Sequence, residues 1–315
     1  MENKTKRLLI IDSNSIIHRA YHALPSLTTK KGELVNVVYG FLLVFFKAVK
    51  DFNPDFIAAA FDSPAPTFRH KKYKEYKAKR PKAPDELYQQ IPKVKEVLSA
   101  LEVPFFEAPG FEGDDIIGTI ADLAPRKQIF PPLETIILSG DLDSLQLVGP
   151  KTKVYALRKG VKDIVLYDEN LVKERFQGLS PKQILDFKAL RGDASDNIPG
   201  VTGVGEKTAV RLLLEFGDLE RVYKEWPEDK IAEKKGLKPG LKETLAKYKE
   251  QAFLSRELAQ IEKAVPLDFD LNKCSFGDYD KEKMAEVLKK FDFHSLLNKL
   301  PGINQKKIGE NLKLW

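Results

Sequence analysis

The residues of this chain best suited to chemistry are acidic, and they recur in one kind of context. Gly110-Phe111-Glu112-Gly113-Asp114-Asp115 sets three carboxylates within four positions, immediately before the apolar pair Ile116-Ile117. Acids in the first turn of a helix are ordinary, because the helix N-terminus carries partial positive charge. Three so close together repel one another, by on the order of 4 kcal/mol for a pair ~4 Å apart at the effective dielectric of a protein surface. A bound cation turns that repulsion into affinity. Asp12 follows Leu8-Leu9-Ile10-Ile11, Asp62 follows the apolar run Phe56–Phe61, and Asp141 and Asp143 follow Thr135–Leu138 within Ser139-Gly140-Asp141-Leu142-Asp143. A last pair, Asp193 and Asp196, stands in Gly192-Asp193-Ala194-Ser195-Asp196-Asn197. One aspartate after a strand is a common turn former. Repetition at three strand ends, together with the Glu112 cluster, points past turn chemistry. All-oxygen ligands without nearby His or Cys select hard cations such as Mg²⁺ or Mn²⁺. A pool of this size can seat two ions, which activate a water and stabilise the leaving oxygen in phosphodiester hydrolysis.

The elements that must position these acids are legible from apolar patterning. Short continuous apolar runs before Asp12, Asp62 and Asp141 read as strands buried on both faces. Helical patterns intervene, through Ile16-Ile17, over Val37–Phe52, from Glu86 to Leu101 and from Pro181 to Leu190. Strands alternating with helices predict an α/β layer fold whose functional crevice lies outside the carboxyl ends of a parallel sheet. At 315 residues, 43% apolar and 31% charged, the chain has material for two globular domains. The apolar run Val37–Phe46 is too short to span a bilayer, and the charged start Met1–Arg7 does not match a secretory signal. A cytoplasmic, nucleoid-associated monomer without a membrane partner is expected. Cys274 is the only cysteine, which excludes an internal disulfide framework and a cysteine-based zinc site.

The remaining charge is basic. Lys and Arg number 52 against 46 Asp and Glu, for a net charge of +6; setting the nine clustered acids aside makes the remainder more basic still. From Arg69 to Lys82 there are eight Lys or Arg, one acid, and interleaved aromatics. Such a run is usually a solvated face, but cations neutralise phosphates and aromatic rings stack on unpaired bases. Beginning shortly after Asp62, it reads as a helical arch over the acidic edge, spanning about residues 63–100. Gly200-Val201-Thr202-Gly203-Val204-Gly205-Glu206-Lys207-Thr208-Ala209 falls short of a P-loop, because Glu206 stands where the lysine belongs. It reads instead as a hairpin between two helices whose backbone N–H groups and helix N-terminus approach a phosphate, with Lys207 on the same backbone.

The order of these stations resembles the 5′-nuclease family, which includes the 5′→3′ exonuclease domain of bacterial DNA polymerase I, phage 5′-exonucleases and flap endonucleases. The resemblance runs from Lys6 to Leu300. It is carried by Arg19–Leu24, Phe61-Asp62, Thr67-Phe68-Arg69, Tyr76-Lys77, Glu112 with Asp114-Asp115, Gly140–Asp143, Gly192–Asn197 and Gly200–Ala209. It implies a PIN-like α/β core with a mostly parallel sheet, helices on both faces and the arch (residues 1–180). A helix–three-turn–helix DNA-binding region (181–300) and a flexible tail (301–315) would follow. It also implies Asp12, Asp62, Glu112 and Asp114 around one Mg²⁺, Asp141, Asp143, Asp193 and Asp196 around a second, and Asp114 between them. Asp115 matches a further acid of the pattern. Arg69 and Lys77 are implied at the scissile phosphate. Arg19, Tyr76, Arg80, Gly200, Gly203, Gly205, Lys207 and Thr208 are implied at the DNA surface, and the carbonyls of Val201 and Val204 at a K⁺ site.

The expected activity is structure-selective 5′→3′ exonuclease and 5′-flap endonuclease cleavage by two metal ions, on DNA with a flap, nick or 5′ end and on RNA primers, in replication and repair. The alternatives are a non-catalytic branched-DNA-binding module and an RNA-cleaving PIN-type nuclease. Two departures stand out: Gly113 replaces a more usual Ala, which is expected to move no ligand, and Arg191 precedes Gly192. No polymerase region follows, which leaves a stand-alone nuclease and a separately expressed domain both open. The terminal Asn311-Leu312-Lys313-Leu314-Trp315 resembles a sliding-clamp-binding peptide that lacks its leading Gln; undiminished clamp binding after its deletion would rule that partner out.

Overall fold

The computed structural model describes residues 5–127, 132–226 and 240–301. Its centre is a six-stranded sheet in the order β3-β2-β1-β4-β5-β6. The strands are β1 (Lys6–Asp12), β2 (Phe56–Ala60), β3 (Phe105–Phe106), β4 (Leu133–Ser139), β5 (Thr152–Lys159) and β6 (Asp163–Tyr167). All neighbours are parallel except β5 and β6. The apolar runs predicted β1, β2 and β4. The other three were not predicted: β3 has two residues, and the short apolar runs Val154–Leu157 of β5 and Ile164–Tyr167 of β6 are flanked by polar residues.

Successive strand residues face opposite sides, so each central strand feeds two cores. Leu8 and Ile10 join Ile116, Ile117 and Ile120 of α6 (Gly113–Leu123) on one face. Leu9 and Ile11 join Ile16 and Ile17 of α1 (Ser13–Ala23), Phe41 and Phe45 of α2 (Asn36–Phe52) and Val97 of α5 (Ile91–Ala100) on the other. Register sets the ends of the strands level: Asp12 pairs with Ala60, and Ile11 with Leu138. Asp62 and Asp141 lie two residues beyond β2 and β4, on the same edge of the sheet.

In the segment expected as a helical arch, residues 73–84 are turn and irregular chain and about half of the whole is helical. Only α3 (Phe68–Lys72), the single turn α4 (Asp85–Tyr88) and α5 are helical. Pro81 and Pro84 cannot donate a backbone hydrogen bond, and residues 73–80 close through short turns such as Tyr76 N–H to Tyr73 O and Arg80 N–H to Lys77 O. α5 belongs to the sheet's second core rather than to an arch, because Val94, Val97 and Leu98 are buried there.

After α7 (Glu169–Arg175) the chain turns helical, with α8 (Ile184–Arg191), α9 (Glu206–Phe216) and α10 (Leu219–Lys224) packed on the first core. Residues 281–300, expected with this helical region, return to the second core. Met284, Leu288 and Phe291 pack with the residues of α2 and α5, since that face would otherwise lack cover. The tail from residue 302 onward, including Asn311–Trp315, lies outside the described residues.

Candidate active site

Each acid reaches the edge by a separate local device. Asp12 ends β1 and caps α1, its Oδ1 accepting from Ser15 N–H at 3.1 Å. Glu112 caps α6, so Asp114 and Asp115 fall in the first turn. Asp143 opens a 3₁₀ turn, Asp143–Leu147, behind the loop that carries Asp141. Asp193 and Asp196 sit on a loop closed by paired backbone hydrogen bonds between Asp193 and Ile198. That loop depends on two glycines with positive φ, Gly192 at 79° and Gly200 at 61°. A Cβ on Gly192 would meet Ile198 O at 2.7 Å.

Six of the nine acids, Asp12, Asp62, Glu112, Asp114, Asp141 and Asp196, line a cavity of about 530 Å³; Asp115, Asp143 and Asp193 do not. His18, Arg19, Lys77, Arg80 and Lys82 line its other side. Crowding shows in the acids' proton affinity. Burial first, then the charges of Asp12, Asp141 and Asp143, hold the Asp114 carboxyl well above the usual carboxylate range. Burial raises Asp12 to about 6 despite hydrogen bonds from Ser139 and Ser15. Burial and the adjacent Asp141 charge raise Asp143 to about 7. Carboxylates that raise one another in this way would be relieved by a bound cation. Among the described residues no three or more His, Cys, Asp or Glu side chains are already spaced to hold a metal ion.

The basic segment closes over the acids. Lys77, whose φ of 56° is unusual for a residue with a side chain, places its ammonium 2.9 Å from Glu112 Oε1 and 3.8 Å from Asp196 Oδ2. Arg80 meets Asp196 Oδ1 at 2.7 Å. Main-chain contacts lock the two segments: Lys77 N–H donates to Asp196 O, and Asn197 Nδ2 to Glu75 O at 2.6 Å.

Residues 7–177 match the family of 5′-3′ exonuclease N-terminal, resolvase-like domains, and residues 179–282 match the 5′-3′ exonuclease C-terminal SAM fold. This chain belongs to the 5′-3′ exonuclease family. Among similar proteins, DNA polymerase I of Bacillus subtilis is 41% identical over 295 residues, covering 94% of this chain and 32% of that protein. DNA polymerase I of Bacillus caldotenax is 42% identical over 295 residues, again 94% and 32%. The chain thus spans about a third of the length of these relatives. In fold it is similar to the T5 5′-exonuclease solved with divalent zinc ions, at a TM-score of 0.66 and 18% identity over 93% of this chain and 100% of that one. The catalytic core of Rad2 in complex with DNA substrate aligns at a TM-score of 0.58 and 18% identity, over 99% and 92%.

Within this family frame, four expected site residues are elsewhere in role. Asp115 is fully buried and faces away from the cavity; its two oxygens take Arg69 Nη1 and Nη2, each at 2.7 Å. Arg69, 2% exposed, also donates to Leu258 O at 2.9 Å and Gln260 O at 2.5 Å. Asp115 is therefore an arginine partner rather than a metal ligand, and Arg69 is a cross-brace rather than a phosphate contact, since its donors are already committed. Tyr76 is likewise no stacking platform: 3% exposed, it sets its hydroxyl between Glu112 at 3.1 Å and Asp196 at 3.2 Å. Arg19 borders the cavity but braces the Asp141 loop, donating to Gly140 O at 2.8 Å and Leu157 O at 3.3 Å.

Gly113 matters more than its helix propensity suggests. Its N–H donates to Asp62 Oδ1 at 2.6 Å, and a Cβ there would stand 3.2 Å from that oxygen. An added methyl would therefore require Asp62 to give by a few tenths of an ångström. Lys188 was not singled out from sequence. On α8 it pairs with Asp143 and, at 2.8 Å, with Asp193. Burial disfavours its charge, but those two acids outweigh it and its proton is held more tightly than usual. In return the Asp193 carboxyl, despite burial, falls to about 2. The available signal was position: Lys188 lies in the last turn of α8, whose end leads directly into the loop of Asp193.

At the hairpin, Val201 and Val204 are buried, whereas Gly203, Gly205 and Lys207 are exposed and Thr208 is half-buried. Val201 N–H donates to Leu190 O, and Val204 N–H to Val201 O, both within 2.9 Å.

Proposed function

We propose that this chain hydrolyses DNA phosphodiester bonds at or near a 5′ end, nick or single-stranded 5′ flap, with two Mg²⁺ or Mn²⁺ ions. Primer ends made of RNA belong to the same substrate class. The observation that carries the reading is the mutual charge of Asp12, Asp114, Asp141 and Asp143 beneath the Lys77 and Arg80 cations. Asp12, Asp62, Glu112 and Asp114 would hold one ion, and Asp141, Asp143, Asp193 and Asp196 the other, with Asp114 between. Ions held by these residues would supply activation of a water and neutralisation of charge on the leaving oxygen. The chain's own residues do the rest. Lys77, seated between Glu112 and Asp196, can exchange a carboxylate for a phosphate oxygen with little movement. Arg80, half exposed, can fork onto a neighbouring phosphate. Outside the cavity, the eleven-residue helix α9 presents its N-terminus, with Gly203, Gly205, Lys207 and Thr208, toward duplex backbone. The Val201 and Val204 carbonyls would serve a K⁺ there; a carbonyl that accepts one hydrogen bond keeps a second lone pair.

Cleavage of a labelled 5′-flap oligonucleotide in Mg²⁺ tests the reading. We expect loss with chelator, and loss of turnover with DNA binding retained in Asp141→Ala. An unchanged rate in that variant sinks the mechanism.

A further inference from the structure

Ser139 is the last residue of β4, fully buried, and absent from every chemical role assigned so far. Its hydroxyl stands 2.6 Å from Asp12 Oδ2 and 2.9 Å from the N–H of Asp141. A hydroxyl has one proton to give. The carboxylate oxygen at 2.6 Å takes it, as the charge-assisted and shorter contact, which leaves the lone pairs to accept from Asp141 N–H. The second oxygen of Asp12 already accepts from Ser15 N–H at 3.1 Å. Both carboxylate oxygens of Asp12 are therefore held in one orientation, one by the start of α1 and one by the end of β4.

The same hydroxyl fixes the loop that carries Asp141. That loop is also tied by Gly140 N–H to Ser15 Oγ at 2.8 Å, Arg19 to Gly140 O at 2.8 Å, Ser144 Oγ to Asp141 O at 2.9 Å and Asp143 N–H to Asp141 Oδ1 at 2.9 Å. Among the described residues, only the Ser139 contact joins this loop directly to the Asp12 side chain.

We propose that Ser139 is a positioning residue that sets the spacing between Asp12 and Asp141, and through it the cation affinity of the acidic pool. The proposal rests on the two-ion reading above. It touches neither substrate nor ion; it acts by fixing the rotamer of one carboxylate and the backbone of another. Groups that orient a metal's ligands in this way typically affect affinity or activity by about 10- to 100-fold when removed.

The test is Mn²⁺ binding to the DNA-free protein, followed by the electron paramagnetic resonance signal of free Mn²⁺, beside flap cleavage titrated with Mg²⁺. Ser139→Ala should weaken Mn²⁺ binding and raise the Mg²⁺ needed for half-maximal cleavage, each by about tenfold or more, with KM for DNA little changed. Ser139→Thr keeps the hydroxyl on a residue suited to a strand and should bind within about threefold of the native protein. Circular dichroism and the thermal midpoint, measured in chelator, establish that both variants fold. Native-like Mn²⁺ binding in Ser139→Ala, or equal loss in folded Ser139→Thr, overturns the proposal. Absence of Mn²⁺ binding by the native protein instead overturns the two-ion reading on which it rests.

Discussion

Two ion pairs anchored eight positions apart in the basic segment have opposite characters. Arg69 and Asp115 form a bidentate pair with side chains 3% and 0% exposed, their remaining hydrogen-bonding capacity met by Leu258 O, Gln260 O and the N–H groups of Glu112 and Glu262. Lys77 and Glu112 form a single contact at 2.9 Å with side chains 21% and 11% exposed, on the wall of the cavity. The first pair joins three stretches of chain, α3, the start of α6 and residues 258–262. When the second opens, Glu112 keeps Tyr76 and Arg69 on its other oxygen, Oε2, and Oε1 is released on the cavity wall. A cation in a nuclease cleft serves substrate only if its protein partners can release it, and that separates Lys77 from Arg69.

Breaking the sealed pair should have the largest effect on folding. Arg69→Ala leaves Asp115 charged and enclosed, and should lower stability by about 3–5 kcal/mol in urea denaturation. A denaturation midpoint close to native would dissolve the contrast. Lys77→Ala should reverse the pattern. Its stability should change by roughly 1 kcal/mol or less, given the partners left to Glu112, while flap cleavage falls about 10²- to 10³-fold, the usual cost of removing one stabilising group from a reacting centre. Equal losses of stability and turnover in the two variants would erase the distinction.

The pH dependence sharpens it further, because the sealed pair borders acids that are not sealed. With chelator present, Asp12 and Asp143 titrate near 6 and 7 in the fold against about 3.8 when unfolded. Between these values the native state binds protons that the unfolded chain has released, so their contribution to stability falls as pH rises from about 4 to 7. Asp193 works in the opposite sense: its stabilising contribution persists above the unfolded value and is lost only as pH falls toward about 2. Urea titrations at about pH 5 and about pH 7.5 should show the metal-free decline, and Mg²⁺ should reverse it while releasing protons. A flat metal-free profile would show that the acids are less crowded than their geometry implies. The smallest effect belongs to Gly113→Ala. The new methyl adds up to ~1 kcal/mol of helix propensity, but crowds Asp62 Oδ1 from 3.2 Å. Cleavage should fall less than in Asp62→Ala, with stability within ~1 kcal/mol of native; a loss equal to Asp62→Ala would mean that a few tenths of an ångström at Asp62 decide turnover.

What the sequence by itself determined was the acidic edge. Continuous apolar runs identify β1, β2 and β4, because a strand buried on both faces must be apolar throughout, and the acids follow those runs directly. The helix start at Glu112 was equally plain, since acids before an apolar run mark an N-terminus. Tertiary structure alone decided which charges are free. Asp115 and Asp114 are adjacent and chemically identical in sequence. One turns into the protein to meet Arg69, the other faces the pool, because helical geometry rotates successive side chains by roughly 100°. Arg69 and Lys77 belong to one basic run, yet their partners come from residues 35–191 positions away. Lys188 and Ser139 became visible only when α8 and β4 were brought beside the acids. Local patterning encodes which elements form and where they end. The burial that separates a brace from a binding group is a property of contacts between distant segments, and no local pattern carries it.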